Sequence, residues 1–349
     1  WEIAREMLAS GNYLTPHVDN IKYFEKPVLF YWLQAASFKL FGFSELACRL
    51  VTALIALAGC LATYFTTRRL YTRSAAWYAS LTLATSLLYF VLARVVTLDM
   101  TVSVMLTFAL LSFILAVGLP PGTARRAGFY SLYAFSALAV LSKGLIGLIF
   151  PGGIIFLWLF FTRRWAELKS AYLPSGVLLF LLIALPWHIL VALKNPEFFH
   201  YYIIYEQFLR YFTMDAGRYQ PSWYFIPVIL LGLFPWTGFL AGMLAQWRQW
   251  QDQEKFLIIW AAFIFIFFSF SKSKLVPYVL PCLPPLAILL GCYFARLRQQ
   301  TEDFSYAWLG VVTTSLLCLG LAVGIYYYLT PEVALDYRLA RQWSWVSMV

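Results

Sequence analysis

Charged residues are scarce in this sequence. Only 12% of its 349 residues are Asp, Glu, Lys or Arg, against about 25% in a typical soluble domain. Hydrophobic residues make up 62%, and so few polar groups could not cover a core of that size. The composition therefore excludes an ordinary soluble domain and predicts an integral membrane protein. Because lipid offers the backbone no hydrogen-bond partners, we expect an all-α polytopic fold.

Cysteine and histidine are also few. The five cysteines lie in apolar stretches and never form a C-x-x-C pair. An odd number without ligand spacing argues against a disulfide framework or a zinc site. The three histidines, His17, His188 and His200, are scattered along the chain. We therefore predict that no metal and no other cofactor is required.

Acidic residues are outnumbered, 16 against 26 basic ones, which gives a net charge of +10. The sequence has no block of basic residues of the kind that nucleic-acid-binding domains carry on one face. Its basic residues instead come in twos and threes between apolar blocks, as they do in the loops that flank membrane spans. We therefore expect a membrane environment and no nucleic-acid partner. An internal repeat is absent too, which weakens a secondary-transporter interpretation without excluding it.

Ten apolar segments are candidates for membrane spans. They cover approximately residues 46–67, 75–93, 100–119, 127–142, 144–162, 172–193, 223–247, 256–271, 275–295 and 306–329. We expect this transmembrane core to occupy 46–329, preceded by an outer-face region, 1–45, with interfacial helices. Residues 330–349 would begin a truncated C-terminal region. Residues 12–26 read as a polar loop, and 27–41 are too short to span, so an interfacial or re-entrant helix is expected there.

Four prolines fall in the candidate span 275–295, at Pro277, Pro281, Pro284 and Pro285. Proline removes a backbone donor and interrupts a helix, so this span should be kinked or partly unwound. Basic residues indicate the orientation of the chain. Arginines in alternate loops, at 68–69, 125–126, 163–164 and 296–298, predict that those loops are cytoplasmic. The opposite, outer face carries mixed charge among aromatic residues, which is typical of a site.

Four features on the outer face supply candidate functional residues. They are Lys26 beside Glu25, Asp99 five residues after Arg94, Lys143 within a long apolar stretch, and Arg210 among aromatic residues. Each has a structural alternative. Lys26 could extend to the lipid headgroups, and Asp99 could cap a helix. Arg210 could hold a loop by a cation–π contact. Lys143 is the hardest to explain structurally, because a charge within the membrane is costly.

Taken together, Lys26, Lys143 and Arg210 would gather positive charge beside apolar surface, with Lys272 and Lys274 on the same face. That combination suits a ligand with an anionic head and a long hydrocarbon tail. Cations would pair with phosphate oxygens, while apolar side chains would hold the tail. A polyprenyl phosphate has this chemistry.

Several motifs, taken in order, resemble those of a known family. They are the segments 2–16, 23–27 with Tyr31-Trp32, 93–100, 141–144, 210–212 with 217–221, 234–236 and 273–281. Their order and spacing are similar to those of the bacterial aminoarabinose (lipid A) transferases. These are polytopic, lipid-dependent glycosyltransferases related to protein O-mannosyltransferases, and their fold is called GT-C. The resemblance runs from residue 1 to about 295.

The resemblance implies roles for seven residues. Lys26 and Arg210 would contact the phosphate of an undecaprenyl carrier, Lys143 would lie near the same cavity, and Asp99 would be the second acidic residue of the site. The residues around the phosphate would be Tyr23, Glu25 and Tyr278. The family's principal catalytic Asp would lie upstream of Trp1.

The implied activity is transfer of a sugar from the lipid carrier to an envelope acceptor such as lipid A. It would occur at the periplasmic face of the bacterial inner membrane, with inversion at the anomeric carbon. A hexose or a pentose donor is compatible, and the acceptor could also be another glycolipid, a polysaccharide or a protein. A transporter or flippase of lipid-linked sugars and a non-catalytic scaffold remain alternatives.

Overall fold

The computed structural model describes residues 1–209, 211, 219–299 and 305–328, and nearly all of these are helical. The predicted all-α polytopic fold is confirmed, because six of the described helices are long and apolar enough to cross a membrane. Arg210 and residues 330–349 lie outside the described residues, so the predictions made for them stay predictions.

The N-terminal region contains a small hairpin between two helices. Helix α1 (Glu2–Ser10) precedes strands β1 (His17–Val18) and β2 (Ile21–Lys22), and helix α2 spans Leu29–Phe41. The predicted polar loop over 12–26 thus contains a short hairpin. Asp19 and Asn20 form the turn at positive φ, 52° and 62°, a conformation in which Asn and Asp are the most frequent residues after glycine. The carboxylate of Glu6 accepts both of their backbone N–H groups.

The membrane core follows as a series of helices. The first six are α3 (Glu45–Leu70), α4 (Arg73–Thr85), α5 (Leu87–Leu92), α6 (Leu98–Val117), α7 (Thr123–Lys143) and α8 (Ile146–Thr162). Helix α9 spans Leu173–Lys194, and a π-helix covers Phe199–Leu209. The remaining helices are α10 (Phe225–Gly232), α11 (Leu240–Ala245), α12 (Asp252–Phe270), α13 (Leu283–Arg298) and α14 (Ser305–Tyr328). Short 3-10 turns connect them.

Helices α6 and α13 form the centre of the bundle. Almost all of their residues are buried, whereas α3, α9 and α14 expose long apolar faces that suit contact with lipid. Glycine allows the closest approach: a Cβ added at Gly291 of α13 would lie 2.6 Å from the backbone of Ala75 and Ala79 in α4. Small residues at such contacts are typical of helix packing in membranes.

Two predicted spans are interrupted. The span predicted over 223–247 is a pair of helical segments bent by 106°, because Pro235 lies in its middle and cannot continue a helical hydrogen-bond ladder. The span predicted over 75–93 breaks at Ser86, whose extended backbone separates α4 from α5. The proline-rich stretch behaves as predicted, since Val276–Cys282 is a 3-10 segment that leads into α13.

Candidate functional site

The first group of candidate residues, the Lys26 cluster, comprises Tyr23, Glu25, Lys26, Tyr31 and Glu206. Lys26 Nζ donates to the Glu206 carboxylate at 2.6 Å and to the backbone oxygen of Glu25 at 2.7 Å. Both ends of the ion pair are largely buried, with the Lys26 and Glu206 side chains 16% and 2% exposed. A lysine that only extended to the headgroups would be exposed, so that alternative does not describe this residue.

Contacts made by two residues that precede Lys26 explain how Glu206, 180 residues away in the chain, reaches it. Phe24 packs edge-on against Phe198 at 5.4 Å between ring centroids, just before the π-helix that carries Glu206. Lys22 forms an ion pair of 2.6 Å with Glu197 on the same segment. These contacts hold the start of the π-helix against the hairpin region. Glu206, on the same π-helix, is thereby placed next to Lys26.

Two tyrosines line the same cluster. The rings of Tyr23 and Tyr31 meet edge-to-face at 6.4 Å between centroids. Burial, and then the nearby Glu25 carboxylate, raise the pKa of Tyr23 above its usual range. Burial likewise raises the pKa of Tyr31. Side-chain hydrogen bonds link Tyr23 to both Tyr31 and Glu25, so these phenols already have partners within the cluster.

The second group, the Lys143 cluster, comprises Asp99, Lys143 and Tyr278. Asp99 lies in the first turn of α6 and Lys143 is the last residue of α7, and the two side chains form an ion pair. Lys143 Nζ also lies 4.3 Å from the centroid of the Tyr278 ring, which comes from the 3-10 segment. Gly144 ends α7 with a φ of 98°. The chain can thus leave the helix directly after Lys143 without the strain that a side chain would cause there.

One apolar cluster connects the two groups. Its buried members include Val28, two residues after Lys26, and Leu141, two residues before Lys143. Leu98, adjacent to Asp99, packs against the same cluster. Residues beside both ion pairs thus belong to one apolar cluster, to which α2, α6 and α7 contribute.

The outer loop between α12 and the 3-10 segment Val276–Cys282 carries Lys274, whose charge suggested a contact with an anionic ligand. In the structure Lys274 instead holds the loop in place. Lys274 is buried and its Nζ donates to the backbone oxygens of Gln220, at 2.9 Å, and Ser271. Burial, together with the charge of Lys272, lowers the pKa of Lys274. Because its donors are used by carbonyl groups, Lys274 ties residue 220 to this loop.

The structure thus brings together most of the predicted site residues, in two sets: Tyr23, Glu25 and Lys26 in one, and Asp99, Lys143 and Tyr278 in the other. Arg210 lies outside the described residues. Sequence reasoning missed the pairing of Glu206 with Lys26. A carboxylate within the aromatic run Tyr205-Glu206-Gln207-Phe208 was the available signal, but its partner is too distant in the chain to be identified from spacing.

A group of carboxylates lies apart from these clusters. Among the described residues, Glu2, Glu6 and Asp19 offer oxygens within 4.8 Å of one another. Hydrogen bonds within the protein account for two of them, because Glu2 pairs with Arg5 and Glu6 caps the hairpin turn. That the protein requires no metal stays a prediction.

Comparison with known proteins shows what this chain is similar to. The family model described as dolichyl-phosphate-mannose-protein mannosyltransferase matches residues 25–189. A relative from Proteus mirabilis named undecaprenyl phosphate-alpha-4-amino-4-deoxy-L-arabinose arabinosyl transferase 1 is 31% identical over 335 residues, which are 96% of this chain and 61% of the relative. A transferase of the same name, without the numeral, from Edwardsiella ictaluri is 35% identical over 303 residues, 86% of this chain and 55% of its own length.

Solved structures show the same similarity. The crystal structure of ArnT from Cupriavidus metallidurans bound to undecaprenyl phosphate superposes with a TM-score of 0.84 at 32% identity, over 90% of this chain and 57% of that one. An archaeal oligosaccharyltransferase, AglB from Archaeoglobus fulgidus, shares the fold alone, with a TM-score of 0.53 at 15% identity over 91% of this chain and 49% of its own. The chain spans between 55% and 61% of the length of the two curated relatives.

Proposed function

The chain belongs to the aminoarabinose transferase-like, protein O-mannosyltransferase-related group of GT-C glycosyltransferases, and from this membership we propose that it transfers a sugar from a polyprenyl-phosphate carrier to an envelope acceptor. The carrier is undecaprenyl phosphate and the sugar is a pentose of the aminoarabinose type. The acceptor is a glycolipid such as lipid A. Related transferases carry the first two components in their names, and one neighbouring structure binds undecaprenyl phosphate.

The observation that carries the proposal is the position of the two buried ion pairs. Residues beside Lys26–Glu206 and beside Lys143–Asp99 belong to one apolar cluster. A polyprenyl phosphate needs cations for its head and apolar surface for its first isoprene units, and this arrangement supplies both. Tyr23 and Tyr31, hydrogen-bonded to each other, lie in the same cluster as Lys26.

The chemistry follows from the charge that develops during transfer. Cleavage of the sugar–phosphate bond leaves an anionic polyprenyl phosphate, which preorganised cations stabilise. Lys26 and Arg210 would contact that phosphate, with Lys143 and Tyr278 nearby. Because Glu206 already neutralises Lys26, an arriving phosphate has to share or displace this carboxylate. Asp99, paired with Lys143, would position an acceptor hydroxyl or take its proton. Direct displacement would invert the anomeric carbon.

The site would face the periplasm of a bacterial inner membrane. The loops that carry Arg125, Arg126, Arg163 and Arg164 lie at the opposite ends of α7 and α8 from Lys143. Paired arginines mark cytoplasmic loops, so Lys143 and the clusters beside it would lie at the other face. The structural similarity supports a multi-pass membrane protein, and this orientation is part of our proposal.

The test compares substitutions of the proposed phosphate contacts, Lys26 and Arg210, with the substitution of an exposed lysine on α2, Lys39. Purified full-length protein carrying Lys26→Ala or Arg210→Ala should lose transfer from an undecaprenyl-phosphate pentose to lipid A by about a hundredfold, because a charge-assisted contact to phosphate is worth up to about 3 kcal/mol. Lys39→Ala is the control, since Lys39 lies exposed on α2. Glu206→Gln should bind undecaprenyl phosphate more tightly, because a competing carboxylate is removed.

Full turnover by Lys26→Ala, with normal expression, would contradict the phosphate assignment. Mass spectrometry of envelope lipids and glycans, with and without the gene, would identify the acceptor. An unchanged envelope, combined with movement of the lipid-linked sugar across vesicle membranes, would instead support a flippase. The similarity to named transferases does not favour that alternative.

A further inference from the structure

A second feature of the bundle begins where α8 ends and α9 starts, opposite Lys143. A groove of about 410 Å³ opens between α7, α8, α9 and the 3-10 turn Trp165–Ser170. Its wall is almost wholly apolar and includes Leu132, Tyr133, Ile155, Leu159 and Phe180. Phe156, Leu173 and Val177 also line it while remaining exposed, so the groove is open sideways to the bilayer.

The depth of the groove matches one leaflet. Its lining runs from Leu173 to Leu181 on α9 and from Leu148 to Leu159 on α8, which at about 1.5 Å per residue is about 12 Å and about 17 Å. The hydrocarbon core of a bilayer is about 30 Å thick, so these lengths are close to one half of it. A single hydrocarbon chain that enters from the Arg125 end would fill the groove and stop near the middle of the membrane.

The mouth of the groove is strongly basic. Residues 123–126 and 163–169 contain Arg125, Arg126, Arg163, Arg164 and Lys169 against one acid, Glu167, which leaves four net positive charges. Glu167 lines the groove and pairs with both Arg125 and Arg164.

Two exposed cations at this mouth are candidates for a headgroup contact. Arg126 lies over the rings of Tyr130 and Tyr172, and Tyr172 falls between the lining residues Ala171 and Leu173. Lys169 follows the lining residue Leu168 and is exposed. Basic pockets between membrane helices are a recurrent way of binding anionic headgroups.

We propose that this groove binds one anionic phospholipid, with an acyl chain between α7, α8 and α9 and its phosphate at Arg126 and Lys169. The ligand is distinct from the polyprenyl carrier, whose proposed phosphate site lies at the other face. The positive charge at the mouth of the groove favours an anionic headgroup. The apolar wall favours a hydrocarbon chain. The site would hold α7, which ends in Lys143, against α8 and α9.

Native mass spectrometry of the purified protein tests this with two lipids that differ only in headgroup, dioleoyl phosphatidylglycerol and dioleoyl phosphatidylcholine. The unmodified protein should retain phosphatidylglycerol preferentially. Arg126→Ala with Lys169→Ala should weaken that binding about 25-fold, roughly fivefold for each cation, and leave phosphatidylcholine unaffected. Equal retention of the two lipids by the unmodified protein would overturn the proposal, because the groove would then hold bulk lipid only.

A bulky substitution tests the place of the acyl chain. Gly152 lines the groove, and an added Cβ would meet no atom within 4 Å, so Gly152→Trp should fill the groove and release phosphatidylglycerol. Gly320→Trp on exposed α14 is the matched control, since its Cβ also meets nothing. Retained phosphatidylglycerol in folded Gly152→Trp would overturn the proposal.

Two further measurements keep the test decisive. If Gly152→Trp released undecaprenyl phosphate instead, the groove would hold the tail of the carrier, which also overturns the proposal. Should this variant fail to fold, phosphatidylglycerol with a photoreactive group at its chain end serves in the unmodified protein. Crosslinks to α7, α8 or α9 are expected, whereas crosslinks confined to α14 would contradict the assignment.

Discussion

At the scale of single residues, the candidate site consists of charges that the protein itself neutralises. Lys26 and Lys143 each face a carboxylate, Glu206 and Asp99, inside a mostly apolar environment. Removing one partner of a buried ion pair is more costly than removing both, because the remaining charge loses its compensation. The pairs therefore hold the cations in place, and this arrangement can be tested by measuring stability.

We predict that Asp99→Asn and Lys143→Met each lower the free energy of unfolding by about 3–5 kcal/mol, since the side chains are 17% and 13% exposed and each change leaves a buried charge unpaired. The double variant should recover most of this loss in thermal unfolding while still failing to transfer sugar. Glu45→Gln is the control, because its pair with Arg49 is largely exposed. Single variants no less stable than Glu45→Gln would refute the buried pair.

The site also shows what single residues reveal before a structure is available. Lys26, Asp99 and Lys143 could be selected from the sequence because charge is rare here and therefore informative. Which residue pairs with which could not be identified. Lys143 and Asp99 are 44 residues apart and Lys26 and Glu206 are 180 apart, and only the folded bundle brings them together.

At the scale of secondary structure, the apolar pattern predicted where helices lie but not where they break. The core of α6 was predicted within two residues, at 100–119 against Leu98–Val117. The break at Ser86 was missed because the apolar run is continuous across it. The hairpin was missed because its strands have only two residues each, too few for an alternating pattern.

The packing of α4 on α13 gives a prediction at this scale. Gly291→Ala should destabilise the protein by about 1–3 kcal/mol, because the new Cβ would lie 2.6 Å from backbone atoms of Ala75 and Ala79, which cannot rotate away. Thermal unfolding in detergent measures the effect. Gly320→Ala should be neutral or slightly stabilising, since nothing lies within 4 Å of its Cβ and alanine favours helix. Equal melting temperatures for the two variants would show that the α4–α13 contact is looser than described.

At the scale of the whole molecule, two ends of one bundle have different chemistry. One end carries carboxylate-paired lysines with tyrosines, and the other carries arginines in excess over acids. Excess arginine in short loops is the signal that orients a membrane protein during insertion. The paired lysines at the opposite end contribute little to that signal. The lysine end is therefore available for a binding site.

This difference predicts the labelling of two exposed positions in a variant that lacks the five native cysteines. Asn20→Cys, at the hairpin tip beside the Lys26 cluster, should react with a membrane-impermeant maleimide in cells whose outer membrane alone is permeable. Ala166→Cys, in the loop between α8 and α9, should react only after the inner membrane is opened. Both positions are exposed, so a difference in labelling reports the side of the membrane. The reverse pattern would place the two lysine clusters in the cytoplasm, where a periplasmic lipid-linked donor could not reach them.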